Sequence, residues 1–393
     1  MDQLETEIQQ KFRSLFSKEP LVVRAPGRIN LIGEHTDYND GFVMPAAIDK
    51  KAVFAIAFSS EEKCLIHSTK YGQTIEVTLD NTEKLEQPAW ANYLLGVMFQ
   101  FIERGYEIRP FNCVFGGDIP IGAGLSSSAA IECGFGFALN ELHSIGLPKI
   151  EIVKIAQWAE HNYAGVKCGI MDQFASVMGK DEHVILLDCR SLTHKYFPIK
   201  LNDYVILLCD TRVKHSLVDS EYNTRRTECE IGVKMLKQHY KDVKSLRDVS
   251  LDMLLTHESE FEDRVFQRCR YVVEEIDRVQ RASKDLELGN IEAFGRKMYE
   301  THEGLSKKYG VSCDELDFFV SEARKFPEIL GARMMGGGFG GCTINIVKKS
   351  FADSFADHLK REYKKRFRLE MQSYYINIED GAGVANVSAE ALQ

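Results

Sequence analysis

Pro26-Gly27-Arg28-Ile29-Asn30-Leu31-Ile32-Gly33-Glu34-His35-Thr36-Asp37-Tyr38 is the stretch on which the reading of this chain turns. Glycines at 27 and 33 mark bends where the backbone turns or approaches a neighbour closely. Around them Arg28, Glu34, His35 and Asp37 crowd into one short span. Such a set of donors and carboxylate acceptors suits a polyhydroxylated ligand, because each sugar hydroxyl donates one hydrogen bond and accepts others. Taken alone, the same residues also describe a solvated turn in which Arg28 pairs with Glu34.

Three further stretches bear on this one. Pro120-Ile121-Gly122-Ala123-Gly124-Leu125-Ser126-Ser127-Ser128-Ala129-Ala130 precedes an apolar-periodic helix. Small residues let consecutive N–H groups line a concave loop, and the helix start adds unpaired donors and a positive dipole end. That is an anion cradle, with serine hydroxyls available to a hard cation. No Gly-Lys-Ser/Thr follows, so it is not a Walker A loop, and a glycine turn with a serine N-cap is its bland reading. Met334–Cys342 packs five glycines into the six positions from Gly336 to Gly341. That density implies close backbone approach, to a ligand, to a packing corner between domains, or to both. Lastly, Glu160 ends a predicted helix and Asp172 follows twelve residues later, past Gly165 and Gly169. Two carboxylates beside a phosphate cradle suggest one metal ligand and one proton acceptor, although either alone is more often a helix-end or capping acid.

Composition narrows the alternatives. The chain has 393 residues, 44% hydrophobic and 27% charged, with a net charge of −9. That is ordinary globular usage, and it is the wrong sign for a protein that wraps nucleic acid or lies on an anionic membrane. No apolar run nears the roughly 20 residues of a membrane span, and the first residues lack a secretion signal. The ten cysteines show no CxxC pair and no zinc-type cluster. They read as reduced thiols of a cytoplasmic protein. Nothing argues for an obligate protein partner.

Apolar spacing predicts an amphipathic helix over 4–16, strands over 21–23, 52–58, 64–69, 74–79 and 111–115, and helices over 127–143 and 150–161. Strands over 184–187 and 205–208 bracket a polar, loop-like segment at 190–203, taken as the domain boundary. Helices follow over 220–239, 265–282, 316–326 and 351–367, with a strand over 342–347. Mixed strand and helix order favours α+β domains over a doubly wound sheet. The division is 1–195 and 196–393.

Taken in order, these stretches resemble the three signature motifs of the GHMP kinases, a family of small-molecule kinases, and the match covers most of the chain. Within that family Arg28 to Tyr38 resembles the galactokinase signature, and Thr36 resembles that branch more than the N-acetylgalactosamine kinases. Cys168–Gln173 and Ser220-Glu221-Tyr222 resemble further galactokinase segments. One departure is Met335, where many relatives carry threonine. The resemblance implies an N-terminal domain like ribosomal protein S5, a C-terminal ferredoxin-like domain, and an active site between them. It implies ATP, Mg²⁺ and phosphorylation of the anomeric hydroxyl of α-D-galactose. By motif position, Asp172 is the catalytic base and Arg28 its partner and charge stabiliser. Glu34, His35, Thr36, Asp37, Gly169 and Tyr222 contact the sugar. Gly122, Ala123, Gly124, Leu125, Ser126, Ser127 and Ser128 hold the phosphates, Ser128 and Glu160 hold Mg²⁺, and Trp90 lies near adenine. Alternatives are a related sugar 1-kinase acting on N-acetylgalactosamine or L-arabinose, and a non-catalytic galactose and ATP sensor. The intact phosphate loop weakens the sensor reading, and a purely structural module leaves the ordered motifs without a cause.

Overall fold

The structure is a computed structural model that describes residues 1–80, 83–120, 122–214 and 218–386; Ile121 of the second motif lies outside them. Among the described residues the strands form three sheets. The largest runs β13 (Gly383–Asn386), β1 (Leu21–Asn30), β3 (Pro45–Phe58), β6 (Phe111–Gly117), β4 (Cys64–Ser68), β5 (Gln73–Val77), with β4 and β6 parallel and every other pair antiparallel. Its central strands read as unbroken apolar runs because both faces are covered. Leu21, Val23, Ala52, Phe54 and Ile56 enter the main core, while Val22, Val53, Ala55 and Val114 meet Ile8 and Phe12 of α1 (Gln3–Phe16). Side chains alternate between faces at a period of two, so a single run serves two cores.

On the main-core face α3 (Ser127–Leu142) and α5 (Met171–Met178) lie against β1 and β3, with α2 (Ala91–Glu103) and α4 (Lys149–Ala159) outside them. The second half carries an antiparallel sheet ordered β10 (Ile329–Met334), β11 (Gly340–Lys348), β9 (Tyr204–Lys214), β12 (Gln372–Ile376). One face of it packs Leu207 and Cys209 against α10 (Asp314–Ala323) and α11 (Ala352–Phe367). Ile206, Leu208, Ile344 and Ile346 on the other face join the main core together with Val279 of α8 (Asp263–Glu287) and Phe294 of α9 (Ile291–Glu303). The α+β class expected from element order is the one observed.

Two segments differ from the expectation. The polar stretch 190–203 holds a strand, β8 (His194–Pro198), which pairs with β7 (His183–Asp188) in a small sheet completed by β2 (Phe42–Val43). It escapes hydropathy reading because it is an edge strand of half-buried and exposed residues. The first motif is a loop only from Leu31 onward, since Arg28 and Asn30 sit in β1. All ten cysteines are free thiols. Among the described residues no helix is long and apolar enough to cross a membrane.

Candidate active site

The end of β1 delivers Arg28 to the interior, where its backbone N–H bonds the Leu125 carbonyl at 3.2 Å. A Cβ on Gly27 would stand 2.7 Å from that same carbonyl, so glycine is what allows strand and loop to touch. The Arg28 guanidinium grips Asp172 at the start of α5 with both arms: Nε donates to Oδ1 at 2.9 Å and NH2 to Oδ2 at 3.1 Å. It also donates to the Gly124 carbonyl. A paired fork of this kind fixes the carboxylate's direction as well as its place. Burial works against the Arg28 charge, but Asp172 and Glu34 outweigh it and hold the group firmly protonated.

Two cavities meet beside this pair. The smaller, about 150 Å³, is lined by Arg28, Glu34, His35, Asp37, Glu160, Cys168, Asp172, Tyr222 and the Gly336-Gly337 backbone. The other, about 220 Å³, is lined by Ser68, Tyr71, Trp90, Phe115, Ser127, Ser128 and Ile131. They touch where Ser128 Oγ donates to Glu160 Oε1 at 2.9 Å. Trp90 and Tyr71 present nearly parallel rings, 4° apart in plane, in the second cavity. Flat aromatic walls beside a helix N-terminus suit a nucleobase with its phosphates.

The carboxylates of the site are not alike. Burial raises Glu34, but Arg333, Arg28 and the Gly336 N–H hold it below the usual range. Burial and the neighbouring Asp172 push Asp37 up to about 7. The same two causes, in the same order, push Glu160 up to about 7. Burial draws the His35 imidazole down to about 4. His35 also adopts φ +62° and Ser126 φ +58°, left-handed backbone that is uncommon for non-glycine residues. Glu160 opens a single π-helical turn, Glu160–Ala164, which ends α4 where the expected helix would have run on.

Several expected residues are used differently. Thr36 is fully buried and lines neither cavity. Its hydroxyl lies 2.9 Å from the Gly33 carbonyl and 2.7 Å from that of Phe42, so it shapes the loop rather than facing a ligand. Ser126 turns its hydroxyl to Asp172, while Ala123 and Leu125 are buried in the main core and line neither cavity. Gly122 is exposed, with φ +78°. Gly169 is where the Asp37 carboxylate rests, since a Cβ there would sit 1.8 Å from Oδ2. The glycine run turns against the serine loop: a Cβ on Gly336 would stand 3.3 Å from the Gly124 Cα.

Sequence reasoning missed two groups. Arg333 is completely buried. It donates to Glu34 Oε1 at 3.1 Å and to the Leu31, Met334 and Asn30 carbonyls, tying the first motif to the third. Glu132, one helical turn beyond Ser128, is fully buried; neither oxygen has a hydrogen-bond partner among the described residues, and burial together with Glu160 pushes it well above the carboxylate range. Its signal was visible as the lone acid in the apolar run 129–139. Ser128 and Glu160 offer only oxygens to a cation, and Glu160 is a buried acid whose ionisation is opposed by burial and by the Asp172 charge. That donor set fits a hard divalent ion.

Three family models match the chain. The galactokinase galactose-binding signature covers residues 10–58, the GHMP kinase N-terminal domain residues 92–180, and the GHMP kinase C-terminal domain residues 282–365. A galactokinase from Thermotoga maritima is 42% identical over 91% of this chain and 98% of its own length. The crystal structure of Lactococcus lactis galactokinase complexed with galactose superposes with a TM-score of 0.93 at 34% identity, covering 96% of this chain and 99% of that one. Mevalonate kinase from Methanococcus jannaschii shares the fold, with a TM-score of 0.62 at 19% identity over 92% of this chain and 99% of its own.

Proposed function

The chain belongs to the galactokinase family of GHMP kinases, and from that premise we infer that it transfers the γ-phosphoryl group of ATP to the anomeric hydroxyl of galactose, giving galactose 1-phosphate and ADP. The observation that carries this reading is the junction at Ser128 and Glu160, where a carboxylate-lined cavity meets an aromatic-walled one beside the Arg28–Asp172 pair.

On this reading Glu34, His35, Asp37 and Tyr222 surround the sugar, Gly169 leaves room for the Asp37 carboxylate, and Tyr71 and Trp90 take the adenine. The N–H groups at the start of α3 hold the phosphates, where the helix dipole favours negative charge. Asp172, a quarter exposed toward the cavity, accepts the proton of the attacking hydroxyl. Arg28 holds that carboxylate in place and offsets the charge that grows beside it as transfer proceeds. Phosphoryl transfer leaves little covalent work to a protein, so the rate comes from alignment and charge stabilisation. Ser128 and Glu160 would hold Mg²⁺, whose chemistry when bound is to neutralise the phosphate oxygens. Residues 1–195 supply the sugar and nucleotide groups named so far apart from Tyr222. Residues 196–393 supply Tyr222, Arg333 and the glycine turn. The ten free thiols suit a reducing compartment, the cytoplasm, as the place of work.

ADP release measured with a panel of sugars tests the function. Turnover is expected with galactose and Mg²⁺ATP, and much less with N-acetylgalactosamine or L-arabinose. A preference for either of those, or ATP binding without turnover of any sugar, would overturn it.

A further inference from the structure

His35 is buried and neutral, so its ring carries one proton, and the partner of one nitrogen decides what the other can offer. Nδ1 lies 2.8 Å from the Tyr38 hydroxyl. That hydroxyl lies 2.6 Å from the hydroxyl of Tyr309, which lies 3.4 Å from Cys229 Sγ. At the other end Nε2 is buried and makes no well-formed hydrogen bond to a described residue, although the Gly337 carbonyl lies against the ring, and that ring lines the carboxylate-rich cavity. An unfilled buried nitrogen is costly, which makes it a bond left for an occupant of the cavity.

We propose that Tyr38 and Tyr309 are positioning residues that fix the tautomer of His35, keeping its proton on Nε2 so that the ring offers an N–H donor to a hydroxyl oxygen of the bound sugar. This rests on reading the cavity as the galactose site. The direction follows from the far end of the chain. Burial pushes the Cys229 thiol up to about 11 and both phenols well above their usual range, so all three keep their protons. The thiol then donates to Tyr309, Tyr309 to Tyr38, and Tyr38 to Nδ1. The opposite order would end on a thiol sulfur, a weak acceptor. It would also turn a bare Nε2 lone pair toward a cavity lined by Glu34 and Asp37, with the Gly337 carbonyl against the ring.

The relay is mechanically firm. Tyr309 is fully buried, its ring lies 4.8 Å from those of Tyr271 and His35, and its carbonyl accepts from Arg225 Nε at 3.0 Å. Removing its hydroxyl alone therefore leaves the ring in place. Tyr38 comes from the first motif and Tyr309 from a turn 271 residues later, so the polarity of a sugar contact is set from the other half of the chain.

The test uses the full-length protein labelled with ¹⁵N-histidine, with the His35 signals assigned by their loss in His35→Gln. The wild type is expected to show a protonated Nε2 and an accepting Nδ1. Tyr309→Phe is expected to mix the two tautomers and to raise KM for galactose about 3- to 10-fold, the worth of one hydrogen bond, with KM for ATP unchanged. Tyr38→Phe, which strips Nδ1 of its partner, is expected to do more in the same direction. A protonated Nδ1 in the wild type overturns the proposal whether or not Tyr309→Phe folds. So do unchanged ¹⁵N shifts and unchanged KM for galactose in a folded Tyr309→Phe. A wild type that fails to phosphorylate galactose counts against the function, whereas the nitrogen shifts are read without turnover.

Discussion

Replacing Gly169 by alanine adds one methyl group at the point where the first motif and the segment before α5 are in closest contact. The new Cβ would lie 1.8 Å from Asp37 Oδ2, 2.1 Å from its Cγ and 2.8 Å from its Cβ. Ordinary contact needs about 3.5–4.0 Å, so the carboxylate must retreat by about 1.7–2.2 Å. Fitting a methyl group into a packed site costs about 1–3 kcal/mol. A shift of that size also takes a carboxylate out of hydrogen-bond range of anything it held, and bonds to charged groups contribute about 1.5–3 kcal/mol each. If Asp37 holds the sugar, kcat/KM for galactose falls about 10- to 100-fold while KM for ATP stays near its original value. The assay is steady-state ADP release at saturating ATP, with thermal melting to confirm the fold. A double-mutant cycle makes the test specific: Gly169→Ala placed on Asp37→Ala should cost little more than Asp37→Ala alone, because the clash partner is gone. Fully additive losses, or a Gly169→Ala enzyme with unchanged galactose kinetics, would refute the reasoning.

Four other outcomes can be checked. Asp172→Asn should lose about 10²–10⁴-fold in kcat while folding normally and binding ATP, the range of a general base, and unchanged turnover would remove Asp172 from the mechanism. Glu160→Gln should shift the Mg²⁺ dependence of activity to higher concentration; a Mg²⁺ titration that superposes on the wild type would strike Glu160 as a ligand. Burial and the Asp172 charge hold Asp37 protonated up to about 7 in the fold, against 3.8 for an ordinary aspartate. The folded state therefore binds more protons between those limits, and the stability linked to Asp37 falls as pH rises through that window. Asp37→Asn should thus melt higher than the wild type at pH 8, by an advantage that shrinks toward pH 4, and a pH-independent gap in melting temperature would contradict this. Arg333→Met takes from Glu34 its buried counter-charge, leaving it only the Gly336 N–H and the Asn30 amide, and removes a donor from three carbonyls, so a destabilisation of about 3–5 kcal/mol is expected in urea unfolding, and less than about 1 kcal/mol would mean that the cross-link is not needed.

What could be read in the sequence was local. The first helix, the strands with unbroken apolar runs and the helix after the serine loop announce themselves through spacing and turn residues. Helix α9 and strand β10 do not, and one contact explains both. A Cβ on Gly295 would stand 2.3 Å from the Leu330 carbonyl, and one on Gly331 would stand 2.5 Å from the Gly295 carbonyl. Each glycine weakens its own element's signal so that helix and strand can press together, and propensity registers only the weakening. The same blindness hid Arg333, a guanidinium in a six-residue strand that reads as a surface charge. Its partners lie 299 to 303 residues earlier, apart from the Met334 carbonyl beside it.

Met335 carries this argument to the site itself. A methionine where the family resemblance led to an expectation of threonine looks like a lost hydroxyl contact. The side chain, however, is buried, and the residue's N–H bonds the Cys342 carbonyl at 3.0 Å. Its own carbonyl lies 3.1 Å from where a Cβ on Gly124 would stand. Residue 335 therefore meets the serine loop through its backbone, while its side chain packs into the main core. The backbone contact demands glycine at 124 and 336, whereas at 335 it asks for no hydroxyl, only a side chain that fills the core.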